Sequence, residues 1–157
     1  IGCNACLAKP SCTLSDDMDG LVEQMKAADG IVLGSPDYFA NVTARMKTFI
    51  DRTRPLHMTA NALKGKVGGM VATSGLVDCG AEETLGALDR FFATHEMLII
   101  HPRPAGPVLA SGTAASQFAG LDDGGRIRWR RVQDDRTAFA FARQLGADMV
   151  KLIARLG

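Results

Sequence analysis

Three cysteines fall within the first twelve residues, Cys3, Cys6 and Cys12 in the run IGCNACLAKPSC. Thiols separated by two and five residues suit a soft metal ion or an iron–sulfur cluster. They stand too close in sequence for an ordinary disulfide scaffold, and a 157-residue chain can build a core without one. Clustered thiols of this kind point to a reducing compartment, and the expected location is cytoplasmic. Zinc ligation and a metal-free relic remain open alternatives on spacing alone. The fourth cysteine, Cys79, reads as a buried, inert thiol.

Two further segments have the chemistry of a ligand site. SPDYFAN (residues 35–41) and TSGLVDCGAE (residues 73–82) are rich in small and polar residues, and each leads into a helix N-terminus. Backbone N–H groups at such a junction are free to meet an acceptor on a ligand. Tyr38 and Phe39 form an aromatic pair in the first loop, on which a planar ring could pack. His57, His95 and His101 are scattered at element ends and read as structural or solvated. Arg126, Arg128, Arg130 and Arg131 around Trp129 read as an exposed strand with Ile127 and Trp129 on one face. Asp51 and Arg52 read as partners in local ion pairs.

The surrounding elements must position these groups. Met18, Leu21, Val22 and Met25 repeat at helical spacing, with Ser15 or Asp16 as N-cap and Gly30 as the stop. IVLG follows as a short apolar strand. Val42, Met46, Phe49 and Ile50 define a second helix that Pro55 lies just beyond, and residues 56–63 look irregular. KVGGMVAT is a strand whose glycines imply close packing by a neighbour. A third helix turns Leu85, Leu88 and Phe92 inward, and MLIIH is a third buried strand stopped by Pro102 and Pro104. Residues 105–131 are loose apart from a strand at RIRWRRV, and a long amphipathic helix runs from Asp134 with Leu145, Met149, Leu152, Ile153 and Leu156. Apolar strands alternating with helices predict an α/β fold, a parallel sheet covered on both faces, in one domain over residues 1–157. The strand at residues 31–34 carries no charge to protect an exposed edge, so it is expected inside the sheet with a partner on each side.

Composition narrows the partners. Lys plus Arg is 18 against 17 for Asp plus Glu, and this balance argues against a nucleic-acid surface. No apolar run reaches the length of a membrane span.

The segments GCNACLAKPSC-TLSDDM, ADGIVLGSPDYFANVTARMKTFIDR and ATSG…CGAEETLGAL resemble the iron–sulfur flavoprotein branch of the NADPH-dependent FMN reductase family. The resemblance runs from residue 1 to about residue 101. It implies a flavodoxin-like three-layer fold with strand order 2-1-3-4-5 and an FMN cofactor. By the same resemblance Ser35, Pro36, Asp37, Tyr38 and Phe39 line the isoalloxazine from one side, and Thr73, Ser74 and Gly75 offer donors to its edge. No side chain is assigned as catalytic acid or base, because the transfer chemistry belongs to the cofactor. NAD(P)H or a reduced carrier is the implied donor, and a small molecule such as a quinone the implied acceptor.

The resemblance also implies a homodimer or homotetramer, with room for a redox partner protein. Cys3, Cys6 and Cys12 match the last three cysteines of the family's cluster motif, which holds a 4Fe–4S cluster. Three thiols would need a fourth ligand from outside. The family's opening strand, phosphate loop, helix and second strand have no counterpart here, so the chain is expected to be N-terminally truncated within the motif. Two readings from other classes stand beside the enzyme: a flavodoxin-like electron carrier without turnover, and a structural module tied by zinc.

Overall fold

The structure is a computed structural model that describes residues 2–104 and 113–157. A helical turn at Ala5–Leu7 precedes α1 (Met18–Ala27), β1 (Gly30–Pro36), α2 (Ala44–Arg52) and α3 (Arg54–Met58). Then come β2 (Val67–Ser74), α4 (Ala81–Thr94), β3 (Leu98–Ile99), β4 (Ala114–Ser116), β5 (Phe118–Leu121), β6 (Ile127–Trp129) and α5 (Arg136–Leu156).

The expected parallel sheet is present, built around β2. On one side β1 pairs with it over its whole length, from Gly30↔Val67 to Pro36↔Thr73. On the other side two short strands share the edge. β3 pairs with its beginning at Val67↔Leu98, and β4 with its end at Ala72↔Ala114 to Ser74↔Ser116. The bonds Ile100 N–H to Gly68 O (2.9 Å) and Ala72 N–H to Thr113 O (3.1 Å) extend these ladders. β5 and β6 form a separate antiparallel ribbon.

Alternation along β2 fills both faces. Met70 points into the larger core with Leu33, Leu56, Leu88, Phe91 and Phe92, beneath α1 to α4. Val67 points the other way, against Leu145 and Met149 of α5. The two glycines between them are where helices come closest. A Cβ on Gly68 would stand 2.5 Å from Phe92 Cδ1, and one on Gly69 would stand 2.8 Å from Met149 Sδ. Close packing of the KVGG strand is therefore as the sequence implied, and a sheet between two helical layers results.

Several local expectations change. Leu21 is exposed, so α1 buries only Met18 and Met25 fully, with Val22 packed at the margin. Asp17 is the residue preceding α1, while Asp16 Oδ1 accepts from Met18 N–H at 3.0 Å. Pro55 does lie just past α2, which ends at Arg52, but it also sits in the first turn of a further helix, α3, where its missing N–H costs nothing, and Leu56 beside it is buried. MLIIH supplies a two-residue strand whose Leu98 is exposed. Of the loose 105–131 stretch, residues 105–112 lie outside the described residues, while Thr113 onward forms β4 and the ribbon. RIRWRRV does hold a strand, β6, all of it exposed. The expected inward Leu156 is exposed at the end of α5. Finally, β1 has no strand on its outer side among the described residues, and its Val32 is 52% exposed. No described helix is long and apolar enough to cross a membrane.

Candidate functional site

The chain leaves β1 and β2 at their carboxyl ends, side by side, because the two strands are parallel and in register. Ser35, at the end of β1, is buried; its hydroxyl donates to Pro36 O at 2.8 Å and accepts from Thr43 N–H at 3.1 Å. The loop thus closes on itself before α2, whose first turn is capped by Thr43 Oγ1 accepting from Met46 N–H at 3.1 Å. Between these anchors Tyr38 N–H donates to Asn41 O at 3.0 Å. Phe39 and Ala40 take left-handed conformations, φ 55° and 56°. Two consecutive non-glycine residues there cost roughly 1–2 kcal/mol each.

The corner after β2 follows the same plan. Ser74 is buried and donates to Leu76 O at 2.5 Å, tightening the turn. Asp78 is left-handed at φ 51°, and Gly80 at φ 108° leads into α4. Glycine is required at 80 by its conformation and by its surroundings, since a Cβ would lie 2.5 Å from Ala40 Cα. The corners are tied by Asp37 N–H to Thr73 O (2.7 Å) and by Thr84 Oγ1 to Asp37 Oδ1 (3.2 Å).

The predicted ligand residues therefore divide into two groups. Ser35 and Ser74 turn inward and brace the backbone, and Asp37 bridges the corners. Tyr38 (65% exposed), Phe39, Pro36 and Gly75 form the outer surface, with Thr73 half-buried between them. Among the described residues no group accepts from the N–H of Gly75, Leu76 or Val77.

The three N-terminal cysteines line one small cavity of about 150 Å³ with Arg52, Arg54 and Pro55. Arg54 Nη1 donates to Asn4 Oδ1 at 2.9 Å, and Arg52 holds Asp16 through a two-pronged contact at 2.5 and 2.9 Å. Arg52 keeps the Asp16 carboxyl below its ordinary range. Cys3 is likewise lowered, by the Ala5 backbone N–H first and the Thr13 hydroxyl second. Cys79 is exposed, contrary to the buried thiol expected. It opens to solvent because the turn holding it faces outward ahead of Gly80.

Residues 3–107 match the family described as NADPH-dependent FMN reductase. The chain belongs to the NADPH-dependent FMN reductase family. It is 43% identical over 100 residues to an iron-sulfur flavoprotein of Methanocaldococcus jannaschii, covering 64% of this chain and 51% of that protein. It is 32% identical over 138 residues to an NAD(P)H dehydrogenase (quinone) of Trichlorobacter lovleyi, covering 86% of this chain and 66% of the relative. The chain thus spans about half to two thirds of the length of these relatives. A flavodoxin, WrbA-like protein from Agrobacterium tumefaciens superposes with a TM-score of 0.63 at 20% identity, over 87% of this chain and 73% of that one. The fold is flavodoxin-like.

The corners of this FMN reductase family member suit a flat heteroaromatic ring. Exposed aromatic surface stands at one corner, and at the other are backbone donors without an acceptor among the described residues, on strand ends where open parallel sheets take their ligands. The cysteines do not fit a cluster equally well. They share a cavity, yet among the described residues no group of three His, Cys, Asp or Glu side chains is arranged to hold a metal.

One buried cluster of the family member was not read from its sequence. Thr53 Oγ1 donates to Ile50 O at 2.7 Å and accepts from His95 Nε2 at 3.0 Å, which fixes the His95 tautomer and leaves its Nδ1 without a partner. The His57 ring stands edge-on at 5.7 Å, and its Nδ1 is also unpartnered. Both rings line a cavity of about 490 Å³ between α2, α3 and α4 with Lys47, Arg54 and Arg90. Burial, and then the charge of His57, push His95 down to about 4. Two histidines far apart in sequence carry no signal that could have paired them. His101, the third, contacts Asp89 at 3.2 Å.

Proposed function

We propose that this chain holds the flavin ring in an FMN-dependent oxidoreductase that takes electrons from NAD(P)H or a reduced carrier and delivers them to a small acceptor such as a quinone. The observation that carries the reading is the junction of the two corners. Asp37, Thr73, Thr84 and Gly80 tie the loop of Tyr38 and Phe39 to the corner whose N–H groups at residues 75–77 have no acceptor among the described residues. FMN supplies the hydride and single-electron chemistry. This chain's residues bind and orient: Tyr38 and Phe39 offer a stacking surface, and Thr73 and Gly75 aim donors at the ring edge. Donors at that edge stabilise negative charge on a reduced ring and so bear on its potential.

A quinone as acceptor is supported by the name of the Trichlorobacter lovleyi relative. An iron–sulfur cluster, of the 4Fe–4S type that the resemblance implies, has the name of the Methanocaldococcus jannaschii relative in its favour. Cys3, Cys6 and Cys12, which line one cavity, are its candidate ligands although they are not arranged around a common metal position. A homodimer or homotetramer, a redox partner protein and a cytoplasmic location complete the proposal.

The test is titration of the protein with FMN, followed by visible absorbance, then anaerobic mixing with NAD(P)H and a quinone. The expected result is stoichiometric flavin uptake and steady oxidation of the nicotinamide. Uptake without turnover would reduce the protein to an electron carrier. No uptake would overturn the reading, and zinc without iron or flavin would make the chain a structural module.

A further inference from the structure

We infer that Trp129 is a wall of the flavin site, standing against the ring edge that residues 73–75 receive. The inference rests on the reading of the two corners as that site.

Among the described residues, a Cβ placed on Gly75 would meet one side chain, the Trp129 indole, with Cζ3 at 3.8 Å and Cη2 at 4.0 Å. The indole therefore stands along the direction in which residue 75 faces outward, across a gap that the glycine leaves empty. Gly75 does not have the positive φ that would explain a glycine by conformation. The open space beside the indole is what it provides.

Trp129 is not on a loose arm. β4 is paired with the end of β2, and Gln117 N–H donates to Ser74 O at 3.0 Å, one residue before Gly75. On the ribbon, Trp129 is in register with Phe118. The next residue is fixed three ways. Arg130 N–H donates to Gln117 O at 2.7 Å, Arg130 Nε to Ser116 O at 3.1 Å, and Arg130 Nη2 to the buried Asp135 Oδ2 at 2.6 Å. Asp135 in turn accepts from Ser116 N–H and caps α5 through Ala138 N–H. The arginines of RIRWRRV thus include one that clamps the ribbon to the sheet rather than facing a ligand.

Despite this anchoring, the indole is 59% exposed. A large aromatic held rigidly beside a ligand corner, and left uncovered, is an anchor awaiting an apolar partner. A planar ring set against Thr73–Gly75 would cover it. The ribbon then closes the side of the shelf away from Tyr38's loop, and the site takes a contact from residues beyond the 3–107 span that the family match covers.

The experiment uses the chain's single tryptophan and single tyrosine. In a Tyr38→Phe background, the indole is the one remaining electron-rich ring able to quench an excited flavin by contact. FMN is titrated into that protein and into versions also carrying Trp129→Phe, Trp129→Ala or Gly75→Val. Expected are a short lifetime of bound-flavin fluorescence that lengthens several-fold in Trp129→Phe, an affinity about tenfold weaker in Trp129→Ala, and a comparable loss in Gly75→Val, which fills the gap. Bound flavin with the same lifetime in the Trp129→Phe protein would overturn the inference while leaving the proposed function standing. No flavin uptake by the unsubstituted chain would overturn both.

Discussion

Thr84, one turn into α4, donates its hydroxyl to Asp37 Oδ1 at 3.2 Å, joining the helix that follows β2 to the loop that follows β1. Thr84 is fully buried, so the bond has no water to replace it. Thr84→Val keeps the shape and removes the donor. We expect about 1 kcal/mol of lost stability, with weaker FMN binding as the corners part. Chemical denaturation and FMN titration check both; full affinity with lowered stability would show that the corners do not depend on this tie.

Tyr38 is exposed and its ring touches no core, so Tyr38→Ala should leave the melting temperature within about 2 °C of the parent while weakening FMN about tenfold, some 1.4 kcal/mol. Calorimetry and flavin titration on the same samples separate the two effects. A large fall in melting temperature with unchanged affinity would assign Tyr38 to packing instead.

Gly80→Ala should be severe. The substitution forces a left-handed conformation on alanine and drives a methyl group against the Ala40 backbone. A cost above about 2 kcal/mol is expected, and FMN affinity should fall with it because both corners move. Gly86→Ala in the same helix meets nothing within 4 Å and serves as the control, expected to be neutral or stabilising.

His95, 3% exposed and held near 4, gives a pH signature. Its folded value lies below the unfolded value of about 6.5, so the folded state disfavours the proton. Its contribution is constant above pH 6.5 and is lost as pH falls from there toward 4, by roughly 3 kcal/mol in all. Urea denaturation at pH 7, 6 and 5 should show stability declining, and His95→Gln should flatten the decline between pH 6.5 and 5. A wild-type profile that is already flat in that window would contradict the burial described here.

What sequence patterning revealed and missed has physical causes. The two corners after β1 and β2 were legible as turns because small polar residues after an apolar run cannot be buried in a strand and must turn the chain. The inward aim of Ser35 and Ser74 was not, because a hydroxyl's direction depends on which backbone groups the turn brings near. α3 escaped because a proline marks a helix start as readily as a stop. β4 escaped because AAS has neither branched nor aromatic residues; its pairing comes from the edge of β2. The expected partner on the outer side of β1 is not among the described residues.

The second neighbour of β2 is made of two pieces, β3 at its start and β4 at its end, each with its own ladder bonds. Neither half sets the register of the other. Disrupting the β4 ladder at Ala72–Ser74 therefore leaves the bonds of β3 at Val67 and Gly68 in place. One edge of the central strand is thus held by two independent clasps, so a change at its carboxyl end need not be transmitted to its start.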